Sequence, residues 1–83
     1  GGPRAALSLG RMYVDGDGVR KDLEEAKKLW TIAHEAGHYG ATLSLGFLFK
    51  GHWGPAAGLP DMKKAIKLYR EAAAAGGLSS LRD

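Results

Sequence analysis

Cysteine is absent from the 83-residue chain. That excludes disulfide staples, a thiolate nucleophile and zinc sites built on cysteine. Long apolar runs are missing as well. The longest are far too short to span a bilayer, and no basic start followed by an apolar core marks a secretory signal. Runs of alternating β-branched residues, the mark of a half-buried strand, occur nowhere. Neither sign of charge dominates: 12 Lys and Arg stand against 9 Asp and Glu, a formal net charge of +3. The basic residues are mixed with carboxylates and do not form the dense stripe of a nucleic-acid binder, so no nucleic-acid partner is expected. These absences leave the compartment open. What is present is apolar material, 45% of the residues. That suffices for one small domain over residues 1–83, whose core is marginal without help.

The most informative positive feature is self-similarity. Ala5-Ala6-Leu7-Ser8-Leu9-Gly10 returns as Ala41-Thr42-Leu43-Ser44-Leu45-Gly46, five of six positions identical at an offset of 36 residues. Tyr13 and Phe49 share that offset. Further on, Asp22, Ala26, Leu29, Trp30, Ala33 and Gly37 return as Asp61, Ala65, Leu68, Tyr69, Ala72 and Gly76, now at an offset of 39. The second copy therefore carries three extra residues between the matched blocks, which belong in a surface loop.

Each copy reads as two helices. In the first, helix A spans about Arg4 to Val14, with Ala6, Leu9, Gly10 and Tyr13 on one face. Asp15-Gly16-Asp17-Gly18 breaks it. Helix B starts at Asp22, and Glu25 three residues later gives a capping-box pattern. Ala26, Leu29, Trp30 and Ala33 form its apolar stripe, and Gly37 ends it as a left-handed cap. In the second, helix A spans about Ala41 to Lys50, a loop rich in glycine and proline covers residues 51–60, and Asp61 caps a helix B that stops at Gly76. Gly10 and Gly46 sit in mid-helix, each at a cost of about 1 kcal/mol relative to alanine. Two sites in register accepting that cost point to close helix–helix approach.

The residues Leu9-Gly10, Tyr13, Gly16-x-Gly18-Val19, Asp22, Ala26, Trp30, Ala33 and Gly37 resemble the Sel-one-like repeat, as do Leu45-Gly46, Phe49, Asp61, Ala65, Tyr69, Ala72 and Gly76. The resemblance covers nearly the whole chain. It implies an all-α chain of two helix-turn-helix repeats, stacked as a fragment of a right-handed α-solenoid related to tetratricopeptide repeats. Repeat one then covers about residues 4–38 and repeat two about 39–77. Residues 78–83 align with the opening of a third helix A, so both ends read as cuts inside a longer array. The second copy departs from the family in lacking the Gly-x-Gly-Val turn. Open repeat ends would leave apolar surface uncovered and invite self-association.

Few strings carry chemistry. His34-Glu35-Ala36-Gly37-His38 spells H-E-x-x-H, in which two imidazoles one turn apart hold zinc and the glutamate activates water. A zinc-dependent hydrolase is therefore an alternative, with Glu71 the single candidate for a further ligand. The register argues against it, because Gly37 ends the helix and His38 should point elsewhere. Asp15-Gly16-Asp17-Gly18 lacks the later donors of a calcium loop and reads as a turn. No catalytic residue, metal or cofactor is assigned.

The function implied by the resemblance is a protein–protein interaction module, an adaptor or scaffold that holds a protein or peptide on the concave face lined by helix A. By position, that face offers Ser8, Arg11, Met12 and Asp15 in copy one, and Ser44, Phe47, Leu48 and Lys50 in copy two. Phe47 replaces Arg11 in register and exposes an aromatic ring unless the neighbouring loop covers it. Trp53 in that loop is either a binding anchor or folds back on Pro55, Leu59 or the end of helix A. A purely architectural or self-associating segment is the remaining reading.

Overall fold

The computed structural model describes residues 2–55 and 60–77. Four α-helices follow one another: α1 (Pro3–Asp15), α2 (Leu23–Glu35), α3 (Tyr39–Lys50) and α4 (Met62–Ala72). Among the described residues there is no strand. α1 packs on α2 and α3 on α4, and α2 joins the two hairpins through α3, so the chain is all-α, two helix-turn-helix units stacked. The predicted third helix A and the expected contact with Leu59 lie outside the described residues.

Local chemistry sets each helix end. Pro3 opens α1, where its fixed φ suits the first turn and its missing N–H is no loss. Asp22 and Asp61 cap α2 and α4, each carboxylate accepting from the N–H three residues on, at 3.1 Å from Glu25 and 3.2 Å from Lys64. The reciprocal half of the predicted capping box is replaced. The Asp22 N–H donates to the Tyr13 carbonyl at 3.0 Å, and the Asp61 N–H donates to the Phe49 carbonyl at 2.6 Å. The same bond thus closes both turns, although the second is three residues longer. α2 ends in a Schellman motif: Gly37 at φ 90° donates to the His34 carbonyl, and His38 donates to Ala33. α4 gives way to a π-helical turn over Ala73–Gly77 in place of the predicted α-helical end. That stretch holds only alanine and glycine, with no bulky side chain to hold the tighter ladder.

The core is a single cluster of Val14, Leu23, Ala26, Trp30, Leu45, Leu48 and Leu68. Its centre is Trp30, which is fully buried. A Cβ built on Gly10 would lie 2.4 Å from the indole nitrogen, so only glycine lets α1 approach this closely. The indole N–H donates to the Leu7 carbonyl at 2.9 Å, which removes the cost of burying it. Repeat two copies the approach: a Cβ on Gly46 would lie 2.7 Å from the Tyr69 ring. The hydrogen bond is not copied. The Tyr69 hydroxyl is buried with no partner among the described residues.

Two outcomes follow from this packing. Gly10→Ala overpacks an immobile ring, at a cost toward the top of about 1–3 kcal/mol, which exceeds the ~1 kcal/mol gained in helix propensity. Urea unfolding should therefore show a net loss of stability; a gain would mean that the helices are farther apart. Burial also pushes the Tyr69 hydroxyl above its ordinary pKa of 10.0. The unfolded chain then releases this proton at lower pH than the folded one, so the protonated ring's contribution is intact below pH 10.0 and is lost as pH rises through the folded value. The stability difference between Tyr69→Phe and the parent should stay constant below that pH and move in favour of the phenylalanine chain above it.

Candidate functional site

The helix A segments present a surface groove of about 250 Å³ lined by Arg11 from α1, Ser44 and Phe47 from α3, and His52 and Trp53 from the second turn. Helical spacing places these side chains together. Arg11 follows Gly10, and Phe47 follows Gly46, at the same register position of the two repeats. Since each glycine is held against an aromatic ring of helix B, the residue after it is turned toward the groove.

A chain of aromatic rings runs beneath the groove, and Phe47, His52 and Trp53 of it line the surface. Trp30 meets Trp53 at 5.2 Å between centroids, Trp53 meets His52 at 4.9 Å, His52 meets Phe47 at 5.7 Å, and Phe47 meets Tyr69 edge-on at 5.6 Å. The chain links the central aromatic residue of one repeat to that of the other. Tilted and edge-on contacts of this kind add to the area they bury and hold the rings in place. Lys21 Nζ donates to the Trp53 carbonyl at 3.3 Å, tying the second turn to repeat one.

The residues named from the sequence separate into three groups. Arg11, Ser44, Phe47 and Trp53 come together in the groove. Ser8, Met12, Asp15 and Lys50 are exposed but do not line it. Asp15 lies 3.6 Å from the Arg11 guanidinium, an exposed pair one turn apart. Leu48 corrects the expectation of an outward-facing residue: it is fully buried in the core cluster and offers no surface. Trp53 is half-buried and packs against the core cluster, with Trp30 and His52 as its ring contacts. Phe47 is covered in part by His52 of the loop and by Tyr69. Sequence reasoning missed His52. The one available signal was its place beside Trp53, directly after the left-handed Gly51 that ends α3.

The H-E-x-x-H string does not stay on one helix. α2 stops at Glu35, and Gly37 turns the chain so that His38 caps α3 instead. His34 is engaged at both ring nitrogens. Nδ1 lies 2.6 Å from the Thr42 hydroxyl, and Nε2 lies 3.6 Å from a Glu71 carboxylate oxygen. His38 packs over Gly40, where a Cβ would sit 3.0 Å from its ring. The two imidazoles therefore do not share a ligand position, and among the described residues no three His, Asp or Glu side chains converge as a metal site. Also among them, no helix is long and apolar enough to cross a membrane.

The family model of the Sel1 repeat matches the chain twice, over residues 3–38 and 41–77.

Trp53 contributes packing whether or not it contacts a partner. Trp53→Ala removes roughly half of the burial of a large aromatic, a loss of about 2 kcal/mol. Thermal unfolding followed by circular dichroism should show the drop; an unchanged midpoint would mean that the ring chain does not couple the second turn to repeat one.

Proposed function

We propose, for a chain that belongs to the Sel1 repeat family, that the groove spanning α1, α3 and the second turn receives a segment of a partner protein. Sel1 repeats are in general non-catalytic protein–protein interaction modules. The observation that carries the finer reading is the joining of both repeats in one groove, with equivalent residues of the two copies, Arg11 and Phe47, on its lining. A ligand lying there contacts the repeat junction, whose geometry is fixed by the ring chain beneath.

The chemistry of the lining suits a short peptide segment. Phe47 and Trp53 supply rigid apolar faces that lose little conformational entropy on binding. Arg11 supplies planar donors for a carboxylate or a main-chain carbonyl, with its side chain 72% exposed and, among the described residues, held by nothing stronger than the Asp15 pair. Ser44 and His52 add shorter polar contacts. The role is that of an adaptor surface, and Leu48 has no part in it.

A photo-crosslinking residue in place of Ser44 identifies the partner, and titration of that partner against purified variants then tests the groove. Arg11→Ala and Phe47→Ala should each weaken binding about tenfold or more, the range of contacts central to an interface. Arg11 is exposed, so its replacement leaves the fold intact, whereas helicity must be checked for Phe47→Ala. Unchanged affinity in both variants would discard the groove.

A further inference from the structure

The helix B side of the stack carries a second groove, of about 220 Å³, between α2 and α4. Leu45 and Phe49 of α3 and Leu68 of α4 give it an apolar floor. Lys64 and Lys67 of α4 stand along one wall, and His34 and Glu71 line one end. On α3, Leu45 and Phe49 are one turn apart, and helical spacing sets them across the helix from Ser44 and Phe47 of the first groove. Both repeats contribute residues, so the groove belongs to their joint and not to an outer face of the stack.

Two cations converge on the floor. The Lys27 ammonium lies 5.9 Å from the centre of the Phe49 ring, and the Lys64 ammonium lies 5.3 Å from it. A ring attracts an ammonium through its negative face, but two ammoniums that share one ring repel each other. Among the described residues neither forms an ion pair with a carboxylate. Lys67 adds a third positive charge to the same groove. The repeat itself does not call for this arrangement: the register counterpart of Lys64 is Glu25, and that of Lys27 is Ile66.

Charge changes along the groove. Lys27 and Lys64 share one end, and His34 and Glu71 share the other, 3.6 Å apart. The seven-residue step from Lys64 to Glu71 spans about 10 Å of helix, the length of about three extended residues. A polyanion with evenly spaced phosphates would set a charge against Glu71. A segment whose carboxylates are confined to the lysine end avoids that repulsion. We propose that this groove is a second docking surface, which takes an extended segment of a protein partner with acidic, apolar and uncharged polar residues in order from the lysine end to the Glu71 end. The carboxylate sits between the Lys27 and Lys64 ammoniums and relieves their repulsion. The apolar side chain covers Phe49 and Leu68, which shields the charges beside it from water and strengthens their attraction.

Amide chemical shifts of the isotope-labelled chain test this. The probes are two end-blocked peptides: one of two glutamates, a leucine and two serines, the other of the same residues in reverse order, so that both chain directions are sampled. One of them should shift amides around Lys27, Lys64 and Leu68, with a Kd on the order of 0.1–1 mM. Its affinity should fall severalfold as ionic strength rises from about 0.05 to 0.5 M. Glutamine in place of both glutamates should weaken it at least tenfold. Lys64→Glu, which installs the residue type of Glu25, should do the same, whereas Lys64→Arg keeps the charge and should keep the binding. Lys64 is exposed, so helicity should be unchanged in both. Lys67→Gln is a further variant at an exposed site, with an expected loss of about threefold. The proposal is overturned if neither peptide shifts these amides at millimolar concentration, if the glutamine peptide binds equally well, or if Lys64→Glu binds as the parent does. Shifts confined to Arg11, Ser44 and Phe47 would also overturn it, since they put the peptide in the first groove. So would tighter binding of inorganic phosphate or a five-nucleotide oligothymidylate, which would make the lysines a phosphate site. The partner captured at Ser44 reports on the first groove alone, so failure there and failure here are separate results.

Discussion

The close approach of a glycine on helix A to an aromatic ring on helix B is the constraint from which the remaining geometry follows. Trp30 occupies the space that a Cβ on Gly10 would need, and its N–H is satisfied by the Leu7 carbonyl of the same helix. Position and rotation of α1 relative to α2 are thereby fixed together: distance by the missing side chain, rotation by the hydrogen bond. Tyr69 over Gly46 repeats the distance but not the hydrogen bond, since its hydroxyl finds no partner among the described residues. Rotation in repeat two must then come from elsewhere. The ring contacts of Phe47 on one side, and the burial of Ala41, Leu45 and Leu48 against repeat one on the other, supply it.

Once rotation is fixed, a helix A has four distinct faces. In α1, Gly10 and Tyr13 address α2, and Arg11 addresses the groove. Leu7 and Val14 point toward repeat two, and Ala5, Leu9 and Met12 point away from it. The sequence made the first of these faces legible, because close packing demands particular residue types and those types recur in register. The stacking face was harder to see. Position in the repeat and helical phase group Leu48 with the partner-facing residues, and a single helical phase cannot say which neighbour covers it. Leu48 is buried where repeat one covers that side of α3, whereas Met12 is 37% exposed.

The turns divide the same way. The bond from the capping aspartate to the end of helix A is common to both copies, so three extra residues are accommodated without moving either helix end. The freedom left to the loop is what lets Trp53 reach back to Trp30 and sets His52 against Phe47. None of this was visible from composition, because the partner of Trp53 lies 23 residues earlier on another helix. The H-E-x-x-H string was the opposite case: conspicuous in sequence and dismantled by one glycine. Gly37 at φ 90° ends the helix between the two histidines, and His34 is left to join the repeats through Thr42 and Glu71.

The separation of faces explains why one register position can hold Arg11 in one copy and Phe47 in the other. A cation in place of an aromatic ring on the core side would cost several kcal/mol as an unpaired buried charge. On the groove side the guanidinium remains in water, and the ring finds His52 and Tyr69. Tolerance at that position is therefore a consequence of the glycine beside it. By setting the helix separation from the far side, Gly10 and Gly46 leave the next position able to hold either residue type. The surface that a partner meets can then diverge between repeats while the stack beneath it stays the same.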